Sequence, residues 1–469
     1  MGRSGFDCRR WRVANFGGGK RGRRRIATIE RGADEGAGVG IGLTLDEVKR
    51  LVERLQGIVA AEHAQEVVSA NSSCGACGLE LPRKGMAGIV YRTAFGKLRL
   101  SCPRLYSQCR CGAHAYDSES FNPLAMVVAQ RTHPELLYLQ TRWASVVSYE
   151  RAAKLLQDVL PINAASGSSS IKAQVRKVGA QLARREYQAG EDFFDGQPLR
   201  LPEAPREQAA HVLELDAGYV RAVADKCDGR NSFGIITTRL SKPQGPAGWN
   251  AFVIEETMSP LARLHHFLHR QGVPLETPMA IISDGGEDVA YPTYLPWRPV
   301  QRILDWFHIS MRFEHVLQRL RGLRKIERTT ADALLARVES AKWRLWHARA
   351  ADCLEQLNTV LPQTSDGLKT RVAELIAYLG RNRERLVDYG TRHRSGLPIS
   401  TSMAESAVES VVGDRFKKNR KMRWTPKGAN ALLHIRVANL NDELGNALKE
   451  RHRARTRPAN EPAFYSWAA

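Results

Sequence analysis

The chain has 469 residues, 43% of them hydrophobic, and its 70 Lys and Arg against 49 Asp and Glu give a formal net charge of +21. This length allows roughly two to four domains, and no apolar run approaches the roughly 20 residues of a membrane span. The basic residues near residue 1 are not followed by an apolar core, which argues against a secretory signal. The charge favours a polyanionic partner, because phosphate contacts dominate nucleic-acid affinity; the alternative is a basic protein whose charge serves only solubility.

The first part of the chain combines a basic segment with a helix. Residues 1–42 are rich in Gly and Arg and lack periodic hydrophobic residues, so we predict a disordered basic arm. From Thr44 to Val68 apolar residues recur at helical spacing, which predicts an amphipathic packing helix. This helix opens the segment 43–122, for which we predict a helix plus a zinc ribbon.

Five of the eight cysteines lie between Cys74 and Cys111. Without a secretory signal, such clustering favours a metal over disulfides. Cys74 and Cys77 form one tight knuckle, Cys109 and Cys111 form another, and the alternating sequence between them predicts a hairpin. Two knuckles on a hairpin indicate a zinc ribbon, in which four thiolates close a structural site for one Zn²⁺. Cys102 is a fifth candidate that could replace one ligand, and buried cysteines without a metal are the alternative.

Residues 123–190 have a helical pattern, which we interpret as a helix-turn-helix DNA-binding region. Ser148 can cap a helix that stops at Pro161, and a second helix begins at Ser168. Polar residues on the exposed face of this second helix are typical of a helix that reads DNA, with an ordinary helical hairpin as the alternative. The predicted DNA contacts are Lys172, Gln174, Arg176 and Lys177. Residues 191–208 contain three prolines and are predicted to form a linker.

Carboxylates follow predicted strands in the next part of the chain. Three strands in succession, then a helix, then two more buried strands indicate a mixed sheet with helical cover. Asp216 ends the first strand, Met279–Ser283 runs into Asp284, and Val300–Leu304 runs into Asp305. Buried ionised carboxylates are costly unless they are paired or bind a metal. Adjacent strands would bring Asp216 and Asp284 together, and paired oxygen ligands suit two Mg²⁺ ions.

The segment 399–436 reads ISTSMAESAVESVVGDRFKKNRKMRWTPKGANALLHIR, with ISDGGE and LDWFH upstream. On these motifs the chain resembles bacterial insertion-sequence transposases of the ISKra group, from Cys74 to about Leu444. The resemblance implies a DDE transposase. Its ribonuclease H-like mixed α/β core would occupy residues 209–325 and 399–448, with an all-helical insertion at 326–398 and a basic tail at 449–469. The expected fold class is therefore multidomain α+β.

The resemblance also implies roles for individual residues. The implied ligands of two Mg²⁺ or Mn²⁺ ions are Asp216, Asp284 and Glu405. Glu405 is preferred to Glu409 because its Ala-Glu-Ser context matches the small residue–Glu–Ser step of the family. Asp305-Trp-Phe-His308 is similar to the Asp-x-x-His signature of DDE enzymes with a helical insertion. This implies that His308 positions the scissile phosphate or the flanking strand, with a packed histidine as the alternative.

A basic run follows the predicted catalytic helix, where it could hold DNA phosphates; a merely solvated face is the alternative. Its predicted DNA contacts are Arg415, Lys417, Lys418, Arg423 and Trp424. Within the insertion, we expect Trp343 and Trp346 to be core residues rather than base-stacking ones.

The expected function is that of a cytoplasmic, nucleoid-associated bacterial transposase without a membrane partner. It would bind terminal inverted repeats in double-stranded DNA as a homo-oligomer, cleave the 3′ ends and join them to target DNA. The alternatives are a zinc-ribbon and helix-turn-helix regulator with an inert core, and a structure-specific nuclease.

Overall fold

The computed structural model describes residues 9–15, 24–31, 42–114, 118–128, 130–162, 167–195, 210–223, 229, 231–254, 259–286, 295, 298–325, 327–364, 366–401, 408–417 and 422–456. The chain is a mixed α/β structure of two compact units, Met1–Val175 with Asp442–Ala469, and Arg176–Asn441. The division between them falls inside one helix, whereas the sequence predicted a boundary at the linker 191–208. In the described ranges, every helix is too short or too polar to cross a membrane.

The first unit contains a hairpin where the sequence predicted disorder. Its strands β1 (Arg9–Asn15) and β2 (Arg24–Arg31) pair antiparallel, and β2 packs against helix α1 (Leu45–Ala70). The prediction of a disordered arm over 1–42 is therefore wrong for these two segments. The register pairs Trp11 with Ile29, two residue types that favour strands. The high Gly and Arg content of residues 1–42 had concealed this strand signal.

A second sheet and three helices complete the described N-terminal part of this unit. The sheet has the order β3 (Arg83–Thr93), β4 (Gly96–Tyr106), β5 (Ser120–Phe121), and all neighbours are antiparallel. The helices are α2 (Pro123–Val127), α3 (Pro134–Val146) and α4 (Tyr149–Val159). The predicted cap of α4 is confirmed, because the Ser148 hydroxyl accepts a hydrogen bond from the Arg151 N–H at 3.3 Å.

Helix α5 (Ser168–Phe194) passes through the division between the units. Residues 191–194, predicted as the start of the linker, belong to this helix. The proline-rich part of the predicted linker lies outside the described residues.

The second unit is built on a five-stranded sheet with the order β10-β9-β6-β7-β8. Its strands are β6 (His211–Arg221), β7 (Ser232–Ser241), β8 (Gly248–Val253), β9 (Met279–Ser283) and β10 (Val300–Leu304). The first three strands pair antiparallel, whereas β9 and β10 run parallel to β6. Strand β6 is longer than predicted, so Asp216 lies inside this strand rather than at its end.

Two hydrophobic clusters form on the two faces of this sheet, because successive side chains along each strand point to opposite faces. One cluster contains Leu213, Leu215 and Ile281 with helix α6 (Pro260–Arg270). The other contains Val212, Ala280 and Ile282 with a set of helices that we call the helical excursion, residues 306–398. Its helices are α7 (Trp306–Leu323), α8 (Arg328–Trp346), α9 (Ala350–Val360), α10 (Asp366–Arg381) and α11 (Tyr389–Arg394).

Two tryptophans of the excursion have different environments. The Trp346 ring packs at 4.8 Å from the Trp306 ring, as expected for a core residue. Trp343 is 60% exposed, so the prediction that it is a core residue is wrong. The two residues are neighbours on α8, but Trp346 packs against Trp306 and Tyr389 in the interior of the excursion, whereas Trp343 faces solvent.

The remaining described elements follow the excursion. They are a π-helix (Val408–Lys417), α12 (Pro426–Leu440) and α13 (Leu444–Thr456). The π-helix packs against β6, and α12 packs against β8. Helix α13 packs against α3 in the first unit, so residues 449–456 of the predicted basic tail are helical.

Candidate functional site

Three aspartates directly follow residues that are paired in register on neighbouring parallel strands. Leu215 of β6 pairs with Ser283 of β9, and Ser283 pairs with Leu304 of β10. The next residues along the three strands are Asp216, Asp284 and Asp305. The ladder continues past β10, since the Asp305 N–H donates to the Ser283 carbonyl at 2.9 Å. Neighbouring strands lie about 4.8 Å apart, so the sheet brings these aspartates into one row.

Asp305 uses both carboxylate oxygens inside the protein, where it is completely buried. Its Oδ1 accepts the N–H of Phe307 at 2.8 Å, which caps helix α7. Its Oδ2 lies 2.7 Å from Nδ1 of His308 and also accepts the Thr401 hydroxyl. An ionised Asp305 therefore fixes the His308 ring with a proton on Nδ1 and Nε2 available to a ligand.

The carboxylates change the proton affinity of His308. Burial lowers the pKa of His308, but the hydrogen bond and charge of Asp305, with the charges of Asp284 and Asp216, outweigh burial and raise it. The imidazole is thus protonated over a wider pH range and can contact an anion. The structure brings together three of the four predicted catalytic residues, Asp216, Asp284 and His308.

The fourth predicted residue, Glu405, lies outside the described residues. The chain just before it is bound at the row, because Trp306 donates its N–H to the Ile399 carbonyl at 3.0 Å and Thr401 bonds to Asp305. Glu409 lies in the π-helix, and its side chain is also outside the described set.

The helical excursion supports the strand ends that carry the row. The Tyr378 hydroxyl donates to the Asp284 carbonyl at 2.7 Å, and the Tyr389 hydroxyl donates to the Leu304 carbonyl at 2.8 Å. Burial raises the pKa of both tyrosines, so they remain neutral donors. Gly285 has a φ of +75°, a conformation that favours glycine, and a Cβ there would lie 2.6 Å from the Leu304 side chain and 2.8 Å from that of Asn382.

The sequence interpretation missed several residues around this row. Asp305 was identified only as part of the Asp-x-x-His signature, and its role in positioning His308 was missed. The sequence signal for that role was its place as the cap of a helix, three residues before His308. Tyr378 gave no local signal because it lies 94 residues from Asp284. Arg312 also gave none; it is exposed on α7, with its guanidinium 3.9 Å from the centre of the Tyr378 ring.

The predicted DNA-binding residues of α5 are mostly solvent-facing. Lys172, Arg176 and Lys177 are exposed, and Gln174 is half-buried. Lys172 and Gln174 belong to the first compact unit, whereas Arg176 and Lys177 belong to the second. The structure therefore does not assign this predicted set to one unit.

The predicted basic run near the π-helix divides into packed and exposed residues. Arg415 is 4% exposed with its guanidinium 5.1 Å from the Trp424 ring centre, so it packs inside the unit, contrary to a contact with DNA. The Trp424 N–H donates to the Arg221 carbonyl at 2.9 Å, which ties this segment to β6. Arg423 is exposed. The side chains of Lys417 and Lys418 lie outside the described part of the chain.

Four cysteines form a candidate metal centre in the first unit. The Sγ atoms of Cys74, Cys77, Cys109 and Cys111 all lie within 4.8 Å of one another. Cys74 and Cys111 are 3.8 Å apart at sulfur, and Cys77 and Cys109 are 3.5 Å apart. Tetrahedral zinc with Zn–S bonds of about 2.3 Å places sulfurs about 3.8 Å apart, so this cluster could hold a metal such as zinc.

The two knuckles prepare these thiols as ligands. Each is followed by a glycine at positive φ, Gly78 and Gly112, which closes a tight turn. Backbone N–H groups of Ala76 and Cys77 lower the pKa of Cys74 to about 7, which favours the thiolate that binds metal. The Leu79 N–H lowers the pKa of Cys77, but hydrogen bonds with Cys109 and Cys111 outweigh it and raise this pKa to about 12, so Cys77 must lose a proton when a metal binds. Cys102 is completely buried between α1, α2 and β4 and does not belong to the cluster, so the question of a fifth ligand is resolved against it.

No protein-family model and no curated protein matches this chain. The chemistry of the two sites indicates what they can bind. Carboxylates on adjacent parallel strands suit a hard divalent cation, and a protonated imidazole beside them suits an anionic substrate. Four clustered thiols suit a structural zinc ion.

Proposed function

We propose that the protein is a DNA transposase of the DDE type, with Asp216, Asp284 and Glu405 as ligands of two Mg²⁺ or Mn²⁺ ions. The observation that carries the proposal is the row of aspartates on neighbouring parallel strands, with His308 held at the row by Asp305. Three antiparallel strands followed by two parallel ones are compatible with the ribonuclease H-like core that the resemblance implies.

The residues of the row fit different tasks. Asp216 and Asp284 can offer hard oxygen ligands from adjacent strands, which is what paired divalent ions require. Such ions, when bound, would activate a water or a 3′-hydroxyl and stabilise the leaving oxygen. Asp305 is committed to Phe307, His308 and Thr401, so it acts as a positioning residue. Protonated His308 would hold a phosphate of the strand that is cut.

The rest of the chain supports a double-stranded DNA partner. The net charge of +21 favours phosphate contacts. The proposed zinc ribbon and the helices α4 and α5 would recognise the element ends, and the acceptor would be target DNA. A homo-oligomer would hold two ends together.

The decisive experiment is to incubate the purified full-length protein with Mg²⁺ and a labelled DNA fragment that carries the element's own end, plus a target plasmid. We expect nicked 3′ ends and joined products. Asp216→Asn, Asp284→Asn and Glu405→Gln should each abolish both products and leave DNA binding intact, because only metal ligation is lost. Glu355→Gln, at an exposed acid of α9, is the matched control and should behave as wild type.

Each failure has a distinct meaning. Binding without any cleavage by the wild type would indicate a regulator with an inert core, and nicking without joining would indicate a nuclease. If Glu409→Gln is inactive while Glu405→Gln is active, the third ligand is Glu409.

A further inference from the structure

We infer that Arg312 and Tyr378 form a phosphodiester subsite beside the aspartate row, where Arg312 binds a backbone phosphate next to the one that is cut. The inference rests on the proposed function, because it names how the same site holds its DNA strand.

The subsite follows from the position of Arg312 on helix α7. Arg312 lies four residues after His308, so the two side chains project from the same face of the helix, one turn apart. His308 is already held against the row by Asp305. Helix α7 therefore presents two basic side chains, with Cβ atoms about 6 Å apart, to any strand that lies across the row.

Tyr378 fixes the direction of Arg312. The Arg312 guanidinium lies 3.9 Å from the centre of the Tyr378 ring, close enough for a cation–π contact. The Tyr378 hydroxyl donates to the Asp284 carbonyl at 2.7 Å, and the ring is 4% exposed. The Tyr378 side chain is a rigid support, because it is buried and hydrogen-bonded to Asp284, the residue after β9. It therefore holds the Arg312 guanidinium at a defined distance from the aspartates of the row.

The described partner of Arg312 is Tyr378 rather than an acid. Among the residues that the structure describes, no carboxylate lies within salt-bridge distance of its guanidinium, although the row supplies three acids nearby. The side chain is exposed to solvent. An exposed guanidinium has five N–H donors, which makes it a strong bidentate ligand for a phosphate group.

The aspartates make a phosphate more plausible than a protein carboxylate as this ligand. A carboxylate partner would bring another fixed acid beside Asp216, Asp284 and Asp305, which like-charge repulsion opposes. A DNA strand held at the row by divalent ions would bring its own neighbouring phosphates to the position of Arg312. Arg312 would then fix the register of the strand, as a positioning residue for cleavage.

The test compares the full-length wild type with Arg312→Ala, Arg312→Lys and Arg319→Ala. Arg319 is exposed on the same helix, seven residues or about 10 Å farther along, so it controls for loss of one charge. The probe is the duplex fragment with the element's end, with Ca²⁺ in place of Mg²⁺ to prevent cleavage. Binding is measured over a series of salt concentrations, and thermal unfolding verifies that each variant is folded.

We expect Arg312→Ala to weaken binding and to reduce the log–log salt slope by about 0.9, the effect of one lost phosphate contact. Arg312→Lys should retain the slope and lose part of the affinity. With Mg²⁺, Arg312→Ala should slow cleavage at saturating DNA by about tenfold or more, since a charged hydrogen bond contributes about 1.5–3 kcal/mol. Arg319→Ala should match the wild type in slope and rate.

An unchanged slope for Arg312→Ala, or an equal decrease for Arg319→Ala, would overturn the subsite. If the wild type binds DNA but does not cleave it, the proposed function fails, while the salt slopes still decide the role of Arg312. If the wild type does not bind the fragment, both ideas are wrong.

Discussion

Asp305 and His308 show how one local arrangement serves both folding and the site. The capping position places the Asp305 carboxylate beside the first turn of α7, and the residue three positions later turns back toward it. The same geometry that satisfies the end of the helix therefore orients the imidazole. Asp305-Trp-Phe-His308 contained this relation, but only the structure shows that both oxygens of Asp305 are engaged by Phe307, His308 and Thr401.

A pH series tests the raised pKa of His308. A group whose pKa is raised on folding stabilises the protein fully below its unfolded pKa of about 6.5, and this contribution is lost as pH rises through the folded pKa. His308→Gln retains a hydrogen-bond donor but cannot titrate. Its deficit in free energy of unfolding should be largest in acid and should shrink as pH rises above about 6.5.

Urea unfolding in magnesium-free buffer between about pH 5.5 and 8.5 measures this deficit. A deficit that does not change with pH would mean that His308 is an uncharged packing residue.

At the scale of elements, α5 is held by close backbone approach and by a buried contact between Glu186 and His434. A Cβ at Gly179 would lie 1.8 Å from the Ala431 carbonyl oxygen of α12, and one at Gly190 would lie 2.6 Å from that of Ala262. Between them, Glu186 lies 3.1 Å from Nδ1 of His434. Burial raises the pKa of Glu186, but the charge and hydrogen bond of His434 outweigh burial and lower it.

Gly179→Ala tests the close packing of α5. The added methyl group has no space, so we expect a loss of stability at or above the upper end of the ~1–3 kcal/mol typical of overpacking. Gly57→Ala is the control, because Gly57 lies in α1 with nothing within 4 Å of an added Cβ. That substitution should raise stability by up to about 1 kcal/mol through helix propensity. Equal effects of the two substitutions in thermal unfolding would contradict this packing.

The four-cysteine cluster makes a prediction about metal content. Freshly purified protein should contain about one zinc per chain, as expected for a closed four-ligand site. Cys74→Ser should release this zinc and loosen the first unit, whereas Cys102→Ser should retain it, because Cys102 lies outside the cluster. Elemental analysis decides between these outcomes, and a protein without zinc would exclude the structural site.

At the scale of the whole molecule, local signals were sufficient for some features and not for others. The cap at Ser148, the hairpin between the cysteine knuckles and the strands that precede Asp284 and Asp305 each depend on a few neighbouring residues. The extension of α5 past residue 190 depends instead on contacts with α6 and α12, which are distant in sequence. Helix α13 likewise depends on a contact that is distant in sequence, since it packs against α3.

The proposed division of labour between the basic segments gives a salt-dependence test. Base contacts distinguish sequences, whereas phosphate contacts weaken binding to all sequences alike. Alanine at Lys172, Gln174 and Arg176 should therefore abolish the preference for the element's end over random DNA. Alanine at Lys417 and Lys418 should lower both affinities and reduce the salt slope by about one unit per lost contact. If the α5 variant loses affinity uniformly and retains its preference, sequence is read elsewhere, with the zinc-ribbon region as the next candidate.

The helical excursion leaves the sheet and returns to it at a single point. The N–H of Trp306, its first residue, donates at 3.0 Å to the carbonyl of Ile399, the residue directly after its end. A segment with adjoining ends can change in length without moving the strands it interrupts, since loop-closure entropy grows only slowly with length. The length of the excursion can therefore vary without changing the order of the strands, but the hydrogen bonds that it supplies to the sheet depend on its helices. A chain with the excursion replaced by a short turn would keep the order of its strands, but it would expose the sheet face that carries Val212, Ala280 and Ile282. It would also lose the Tyr378 and Tyr389 hydrogen bonds that fix the strand ends.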